Sequence, residues 1–105
     1  MTDSLTLIYC PFHNVDDAKK LAHMLLKEKL IVCANILPSS TSLYVWDGTL
    51  QENIETIALF KTTDALKKAA AHYIELHHSY DTPCILQFDT QANAAFEAWT
   101  RKTIS

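Results

Sequence analysis

The ten residues 76–85 carry two adjacent imidazoles, a phenol, a carboxylate and a thiol, which is more chemistry than any other stretch of the chain holds. Imidazole and thiolate donors suit zinc and copper(I), whereas hard cations prefer carboxylate and carbonyl oxygens. His77 and His78 cannot both bind one ion from regular structure, because adjacent side chains diverge by about 100° on a helix and point to opposite faces of a strand. Either one histidine acts alone, or the backbone turns between them.

The composition predicts one compact domain spanning residues 1–105. A chain of 105 residues is long enough for one hydrophobic core and too short for two. Its 49% hydrophobic and 20% charged content excludes the disordered and collagen-like classes. Gly48 is the only glycine, so neither the dinucleotide fingerprint nor the Walker loop occurs. A net charge of −3 without a basic run argues against nucleic-acid binding.

The sequence also favours a cytoplasmic location. Its apolar stretches are far shorter than the roughly 20 residues that a membrane span needs, and no basic region precedes the first apolar residues, as a secretory signal requires. Three cysteines without paired spacing fit reduced thiols better than a disulfide framework. We therefore expect neither a membrane span nor a disulfide.

Hydrophobic periodicity predicts the order strand, helix, strand, strand, helix, strand, helix. The first strand covers residues 5–10 and ends at Pro11, Asn14 caps the first helix, and Thr63 or Asp64 caps the second. The other predicted segments are strands at 30–37 (resumed at 41–46), 51–61 and 84–88, and a closing helix at 92–102. With right-handed crossovers, this order most simply builds an α+β ferredoxin-like sandwich, an antiparallel sheet covered on one face by two helices.

That topology brings four candidate metal ligands to one rim of the sheet. The strand order is four, one, three, two, so Cys84 at the start of the fourth strand lies beside Cys10 at the end of the first. The second helix delivers His77 and His78 to the same rim, whereas Cys33 falls at the opposite rim as a bystander. No Cys-x-x-Cys or His-x-x-x-His pair is present, so a purely structural role stays open: strand cysteines are often small hydrophobes, and histidines interact favourably with a helix C-terminus.

A long β-hairpin is the second feature of the sequence that bears on function. Asp47 and Gly48 form the strongest hairpin signal in the sequence, and each arm extends about ten residues, whereas a typical strand has about 5–6. Tyr44 and Trp46 share one face of the first arm, and an open aromatic edge invites aggregation. We favour pairing with another copy of the chain over the alternative that Trp46 closes the core of its own subunit.

No catalysis is expected. A Cys10 nucleophile needs a helix N-terminus or a cationic neighbour to lower its pKa, but the chain continues into Pro11 and Phe12. Tyr80 and Asp81 offer acid or base groups, yet no second convergent carboxylate is evident.

Several segments together resemble the CutA family of divalent-cation tolerance proteins. Residues 31–36, Ile-Val-Cys-Ala-Asn-Ile, are similar to its Ala-Ala-Cys-Val-Asn-Ile strand, and residues 42–48 are similar to its Ser-Ile-Tyr-Trp-Trp-Glu-Gly hairpin. Residues 61–63 match its Lys-Thr-Thr, and residues 78–83 resemble its His-Pro-Tyr-Glu-Val-Pro. Phe96 and Trp99 stand where a Tyr-Leu-x-Trp motif usually closes the chain.

Two departures from that pattern affect the site and the fold. Cys84 replaces the glutamate that usually follows the proline, which exchanges a hard ligand for a soft thiol. The segment Pro38-Ser39-Ser40 lacks the usual glycine, so its bend must be made without glycine's freedom in φ.

The resemblance implies ferredoxin-like subunits, a cytoplasmic homotrimer joined through the long hairpins, and a role in tolerance of copper and other divalent metals. In some members a cysteine ending the first strand and paired histidines ending the second helix bind copper; these are Cys10, His77 and His78 here. Cys84 is a further candidate ligand, and zinc is the other candidate metal. His78 lies within the family-like motif and is the better candidate, whereas His77 is expected to face the core partly, below Tyr73.

Two other functions stay open. The resemblance also implies kinship with the trimeric PII signal-transduction proteins, which would make the chain a sensor that binds a small molecule in clefts between subunits and signals to a protein partner. In the second alternative the trimer is a scaffold without a ligand. A thermal-shift screen with nucleotides and metabolites separates the sensor from the metal-binding protein. The scaffold is favoured if neither metal nor metabolite changes the stability while the hairpin binds another protein.

Overall fold

The structure is a computed structural model that describes residues 5–104. Its elements are β1 (Leu5–Phe12), α1 (Val15–Lys27), β2 (Cys33–Trp46), β3 (Thr49–Thr63), α2 (Lys67–His77), β4 (Leu86–Thr90) and α3 (Ala94–Ile104). The four strands form one sheet in the order β2-β3-β1-β4, and all neighbouring pairs are antiparallel. The predicted α+β ferredoxin-like fold and strand order are confirmed. Within residues 5–104, no helix is long and apolar enough to cross a membrane.

The core lies between the sheet and the helices α1 and α2. Alternate residues of β1 point into it, because successive strand side chains face opposite sides; these are Ile8, Cys10 and Phe12, all buried. The two helices contribute six further buried residues: Ala18, Leu21, Ala22, Leu25, Ala70 and Ile74. As predicted, Asn14 caps α1; its side chain accepts a hydrogen bond of 2.8 Å from the backbone N–H of Asp17.

The predicted cap of α2 is wrong. The helix begins at Lys67, and its N-cap, Leu66, makes no side-chain capping bond. Thr63 is instead the last residue of β3. Asp64 accepts a hydrogen bond of 2.7 Å from the Thr6 hydroxyl, so its carboxylate joins the loop to β1 and is not available to cap the helix.

The ends of β1 and β4 also differ from the prediction. β1 continues through Pro11 and Phe12, which pair with Ile57 and Thr56 of β3. The Pro11 carbonyl oxygen lies against the His78 ring at 2.8 Å, so the Pro11 backbone faces away from β3, where its missing N–H breaks no ladder bond. β4 begins only at Leu86, so Cys84 precedes the strand and does not open it.

Smaller shifts occur at the other boundaries. β2 begins at Cys33 rather than residue 30, because Lys29 adopts a left-handed φ of 56° after α1. The predicted interruption at residues 38–40 is a bulge, where the register with β3 shifts between Leu37 and Ser40. Ser39, at φ 65°, adopts the conformation that glycine usually supplies. The closing helix α3 begins at Ala94, two residues later than predicted.

The β2–β3 hairpin projects beyond the helices. Asp47 and Gly48 form its turn, with φ of 50° and 73°, as a two-residue type I′ turn requires. The structure measures 46 × 25 × 22 Å along its principal axes. The projecting hairpin contributes to the longest of these dimensions. Because the arms extend past α1 and α2, their apolar side chains on both faces remain in solvent.

The face of the sheet opposite α1 and α2 is largely uncovered. α3 reaches it at one end, where the Lys61 ammonium lies 5.6 Å from the centre of the Phe96 ring. Phe96 in turn packs against Trp99 at 5.6 Å between ring centres. On β4, Leu86 and Phe88 remain about half exposed.

Candidate functional site

Cys10 lies at the centre of the predicted rim, inside the core. It is fully buried, and its thiol donates a hydrogen bond of 3.7 Å to the carbonyl oxygen of Pro11. Burial raises the pKa of Cys10 to about 12, with smaller contributions from Cys84 and Glu55. At neutral pH Cys10 is therefore a thiol, and a thiol is neither a strong metal ligand nor a good nucleophile.

His78 turns the chain out of α2. It is the C-cap, with φ −70° and ψ 145°, so the backbone leaves the helix between the two histidines. Its ring stacks on Phe12, with 4.4 Å between centroids and 16° between planes. Burial is the main reason that the pKa of His78 lies below its usual value, although the Pro11 carbonyl opposes the shift.

Both ring nitrogens of His78 are engaged. Nε2 lies 2.8 Å from the carbonyl oxygen of Pro11, and Nδ1 accepts a hydrogen bond of 3.0 Å from the backbone N–H of Tyr80. A carbonyl can only accept and a backbone amide can only donate, so these contacts assign the proton to Nε2. The ring is therefore neutral, and its one lone pair, on Nδ1, faces Tyr80.

Tyr80 connects the segment after α2 to the hairpin. Its hydroxyl donates a hydrogen bond of 2.6 Å to Oε2 of Glu55 on β3, and its ring is nearly perpendicular to the His13 ring, with 4.6 Å between the ring centres. Burial first, and then the bond to Glu55, raises the pKa of Tyr80. Sequence reasoning missed Glu55, because a single carboxylate on a long strand forms no recognisable motif.

His77 and Cys84 are the exposed members of the predicted set. The His77 ring packs on Tyr73 at 4.3 Å and lines a groove of about 190 Å³ between α1 and α2. The expectation that His77 faces the core is wrong, since it is exposed and His78 is the half-buried ring. Cys84 is exposed too, but it borders a different cleft.

That second cleft opens on the sheet face opposite the helices and has a volume of about 990 Å³. It lies between residues 79–84 and the hairpin. Its polar and aromatic lining includes Tyr9, His13, Tyr44, Trp46, Glu55, Tyr80, Asp81 and Cys84. At its hairpin side, Asn53 donates a hydrogen bond of 2.6 Å to the Tyr44 hydroxyl.

The structure brings the predicted ligands together only in part. Cys10 and His78 approach the same carbonyl oxygen, that of Pro11, and Cys10 and Cys84 are close enough to interact electrostatically. In the part of the chain that the structure describes, no three or more His, Cys, Asp or Glu side chains form a group that could hold a metal ion. Thiol and imidazole donors fit zinc or copper by their chemistry, and the metal role of Cys10, His77, His78 and Cys84 stays a prediction.

Cys33 lies away from this rim. It pairs with Lys61, which in turn pairs with Leu7, three residues before Cys10. Cys33 therefore lies away from the end of β1, and its role as a bystander stays a prediction.

The topology and the site define the class of protein to which the chain belongs. It is a ferredoxin-like protein with an overlong hairpin, and Cys10, His78 and Cys84 lie near the end of β1. The family model described as CutA1 divalent ion tolerance protein matches residues 6–103. The chain therefore belongs to the CutA1 divalent ion tolerance family.

Individual relatives agree with this assignment. The divalent-cation tolerance protein CutA of Yersinia pestis is 39% identical over 80 residues, which cover 76% of this chain and 67% of that protein. The crystal structure of the divalent ion tolerance protein CutA1 from Ehrlichia chaffeensis has a TM-score of 0.93 at 36% identity and covers 100% of this chain and 99% of that one. The structure of the periplasmic divalent cation tolerance protein CutA from Archaeoglobus fulgidus has a TM-score of 0.92 at 27% identity. The match covers 96% of this chain and 99% of that one.

Proposed function

We propose that the chain is a homotrimeric divalent-cation tolerance protein that joins its subunits through the β2–β3 hairpin and binds copper or zinc at the rim where β1 ends. The observation that carries the assembly is apolar exposure on both faces of the hairpin. The most exposed side chains on one face are Leu43 (64%), Val45 (67%), Leu50 (73%) and Ile54 (63%), and the other face carries Tyr44 (39%) and Trp46 (55%). Monomeric proteins rarely expose large contiguous apolar patches, and such patches mark interaction sites.

The uncovered sheet face supplies a partner surface for the hairpin. Leu37, Leu86 and Phe88 on that face are each about half exposed. The hairpin of one subunit would contact the sheet face of the next, so the contact joins two different surfaces and is heterologous. Heterologous contacts close into a ring when the rotation between neighbouring subunits allows it. The family resemblance supports a ring of three.

Sedimentation equilibrium tests this assembly. The wild-type chain should sediment at three times its mass of 11.9 kDa, and the double variant Val45→Asp, Trp46→Asp should sediment as a monomer, because charges cannot be buried unpaired in the interface. Leu26→Asp, at an exposed position on α1, is the matched control and should remain trimeric. A monomeric or dimeric wild-type protein would contradict the proposal.

Metal binding is the second part of the proposal. His77 and Cys84 are the exposed donors. Cys10 is buried and His78 is half-buried, and both have to change their partners before they bind. Calorimetric titration with zinc should give at least tenfold weaker binding for Cys84→Ser and for His77→Ala. Cys33→Ser and His72→Ala are matched controls outside the predicted set. If all four variants bind zinc like the wild type, neither exposed donor takes part.

We also propose that the protein is cytoplasmic and has no catalytic activity, and two observations support this. All three cysteines are free, which suits a reducing compartment. Cys10 is a protonated thiol, so it is a weak nucleophile. Cell fractionation tests the location, and recovery in the periplasm, the compartment named for the A. fulgidus relative, would contradict it.

A PII-like sensor is the second candidate, and the 990 Å³ cleft favours it. Its volume reaches the upper end of the roughly 300–1,000 Å³ typical of small-molecule sites, and its hairpin side adjoins the proposed interface. A thermal-shift screen with nucleotides and metabolites tests this function, because a ligand of the native state raises the apparent melting temperature. If no compound raises the melting temperature and zinc does, the metal-tolerance function stands alone.

A further inference from the structure

We propose that the 990 Å³ cleft between residues 79–84 and the hairpin binds a small organic ammonium ion, whose charge is neutralised by Glu55 and Asp81. This inference rests on the sensor function proposed above, and it names the chemical class of the ligand. Three features of the cleft carry it: the sign of its charged groups, its aromatic lining, and a donor set too small for a metal ion.

The fixed charges of the cleft are negative. Glu55 on β3 and Asp81 in the segment after α2 line it, and none of the described lining residues is a lysine or an arginine. Glu55 is half-buried, and the hydrogen bond of 2.6 Å that it accepts from the Tyr80 hydroxyl comes from a neutral donor. Removing a carboxylate from water is costly unless a cation compensates its charge. The cleft therefore favours a cationic ligand and disfavours nucleotides and other anions.

The Glu55 carboxylate is held in place before a ligand arrives. Its Oε2 accepts the Tyr80 hydroxyl, and the Tyr80 backbone N–H is itself bonded to His78 Nδ1 at 3.0 Å. An ionised carboxylate has about four lone-pair sites on its two oxygens, so Glu55 retains capacity to accept an ammonium N–H. A pre-positioned acceptor lowers the entropy that a ligand loses on binding.

Tyrosine side chains line the cleft from three elements. Tyr9 is on β1, Tyr44 is on β2 and Tyr80 follows α2. The face of a tyrosine ring attracts a cation that lies within about 6 Å of the ring centre, and aromatic cages bind organic ammonium ions in this way. The hydrocarbon part of such an ion also packs on aromatic rings, which a hydrated inorganic ion does not. Carboxylates together with tyrosine rings thus fit an organic cation.

An inorganic cation is the alternative occupant of an acidic cleft. Calcium takes about six to eight oxygen ligands, and magnesium requires near-octahedral coordination. Within residues 5–104, no three or more His, Cys, Asp or Glu side chains form a group that could hold a metal ion. An ammonium ion needs no such coordination set, because one carboxylate and the faces of aromatic rings are sufficient.

The proposed site is at the inner end of the cleft. Glu55 pairs with Ser40 at the bulge of β2, whereas Trp46 pairs with Thr49 beside the turn. The residues from Ser40 to Trp46 span about 20 Å at about 3.3 Å per residue. Contacts made by the tip of the hairpin, where subunits are proposed to join, therefore lie far from Glu55.

Three ring compounds of similar size test the charge of the ligand. Benzylammonium, benzyl alcohol and benzoate are positive, neutral and negative at pH 7. Titration into the wild-type protein, followed by backbone amide chemical shifts, should show that benzylammonium binds at least about tenfold tighter than benzyl alcohol, because it adds a charge-assisted hydrogen bond and a cation–π contact. Benzoate should bind most weakly. The amides of residues 53–55 and 79–82 should shift, and those bordering the groove between α1 and α2 should not.

Variants test which carboxylate receives the ammonium group. Glu55→Gln should weaken benzylammonium binding at least about tenfold, while its amide oxygen still accepts the Tyr80 hydroxyl. Glu52→Gln is the matched control, because it changes the net charge equally but stands at an exposed position outside the cleft lining; it should bind like the wild type. Asp81→Asn, in the exposed segment after α2, should weaken binding about threefold and provides the test if Glu55→Gln does not fold.

Several results overturn this ligand class, and they separate it from the sensor function. It is wrong if benzylammonium binds no tighter than benzyl alcohol, if Glu55→Gln and Asp81→Asn bind it like the wild type, or if Glu52→Gln weakens binding as much as Glu55→Gln. If a nucleotide or another metabolite then raises the melting temperature and shifts the same amides, the sensor function stands with a different ligand. If neither benzylammonium nor any screened compound binds, both the ligand class and the sensor function fail.

Discussion

His78 donates a hydrogen bond of 2.8 Å to the carbonyl oxygen of Pro11, 67 positions earlier in the chain. This contact ties the end of α2 to the end of β1, and the Phe12 ring beneath His78 fixes the orientation of the imidazole. A residue that the sequence presents as a metal ligand is thus also a structural link between two elements. The two roles make different predictions for variants.

The first prediction concerns stability. His78→Ala should lower the free energy of unfolding by about 2–3 kcal/mol, because it leaves the Pro11 carbonyl with only the weak thiol donor and removes a stacked ring. His77→Ala, at the exposed neighbouring position, should lower it by less than about 0.5 kcal/mol. Urea denaturation at a fixed protomer concentration measures both values. Equal losses for the two variants would contradict the structural role of His78.

Thiol accessibility gives a second prediction. Cys84 should react with iodoacetamide at the rate of an exposed thiol, whereas Cys10 should stay unmodified until the protein unfolds, because it is buried and protonated. Mass spectrometry of peptides after timed alkylation at pH 8 distinguishes them. Modification of Cys10 as fast as Cys84 would show that the rim is open in solution.

The pH dependence of stability provides a third prediction. Folding raises the pKa of Cys10 from 9.0 to about 12, so between these values the unfolded chain binds fewer protons than the native one, and stability falls as pH rises through 9. The loss attributable to Cys10 should be about 1.4 kcal/mol by pH 10, and it should be absent below pH 8.

Two variants test whether Cys10 causes this fall in stability with pH. Cys10→Ala lowers stability at every pH because it leaves a small cavity, but it should flatten the decline between pH 8 and 10. Cys33→Ser is the control and should retain the decline. If Cys10→Ala shows the same fall in stability between pH 8 and 10 as the wild type, other groups cause the fall.

The fourth prediction concerns the contact between Tyr80 and Glu55. A double-mutant cycle with Tyr80→Phe and Glu55→Gln should give a coupling energy of about 1 kcal/mol in urea denaturation. The value is placed below the roughly 1.5–3 kcal/mol of hydrogen bonds to charged groups, because both residues are only half buried. Additive effects of the two substitutions would mean that the contact does not persist in solution.

The sequence predicts the fold well because its signals are local. The alternation in β1, the Asn14 cap and the Asp47–Gly48 turn each depend on nearby residues, and the structure retains all three. The cap of α2 was mispredicted because Asp64 has a competing partner, Thr6, which is distant in sequence. Hydrogen bonds between residues far apart in the chain produce no periodic pattern in the sequence.

The positions of the candidate residues were predictable from the sequence, but the orientations of their side chains were not. Topology correctly placed Cys10, Cys84 and His78 near the end of β1. Which histidine turns inward depends on the rotation of α2 about its axis, with Ala70 and Ile74 buried, and on the turn at His78 that stacks its ring on Phe12. The Pro11 carbonyl oxygen and the Tyr80 amide occupy the two ring nitrogens of His78, and no sequence pattern indicates either contact.

Anomalous scattering from zinc-soaked crystals tests the central claim most directly, because it locates the ion, its ligands and the chains that supply them in one measurement. We expect a trimer joined through the hairpins, with a zinc peak at the rim about 2.0–2.3 Å from a Cys or His donor of the set Cys10, His77, His78 and Cys84. A trimer without a peak at this rim, or a peak bound only by residues outside the set, would contradict the account.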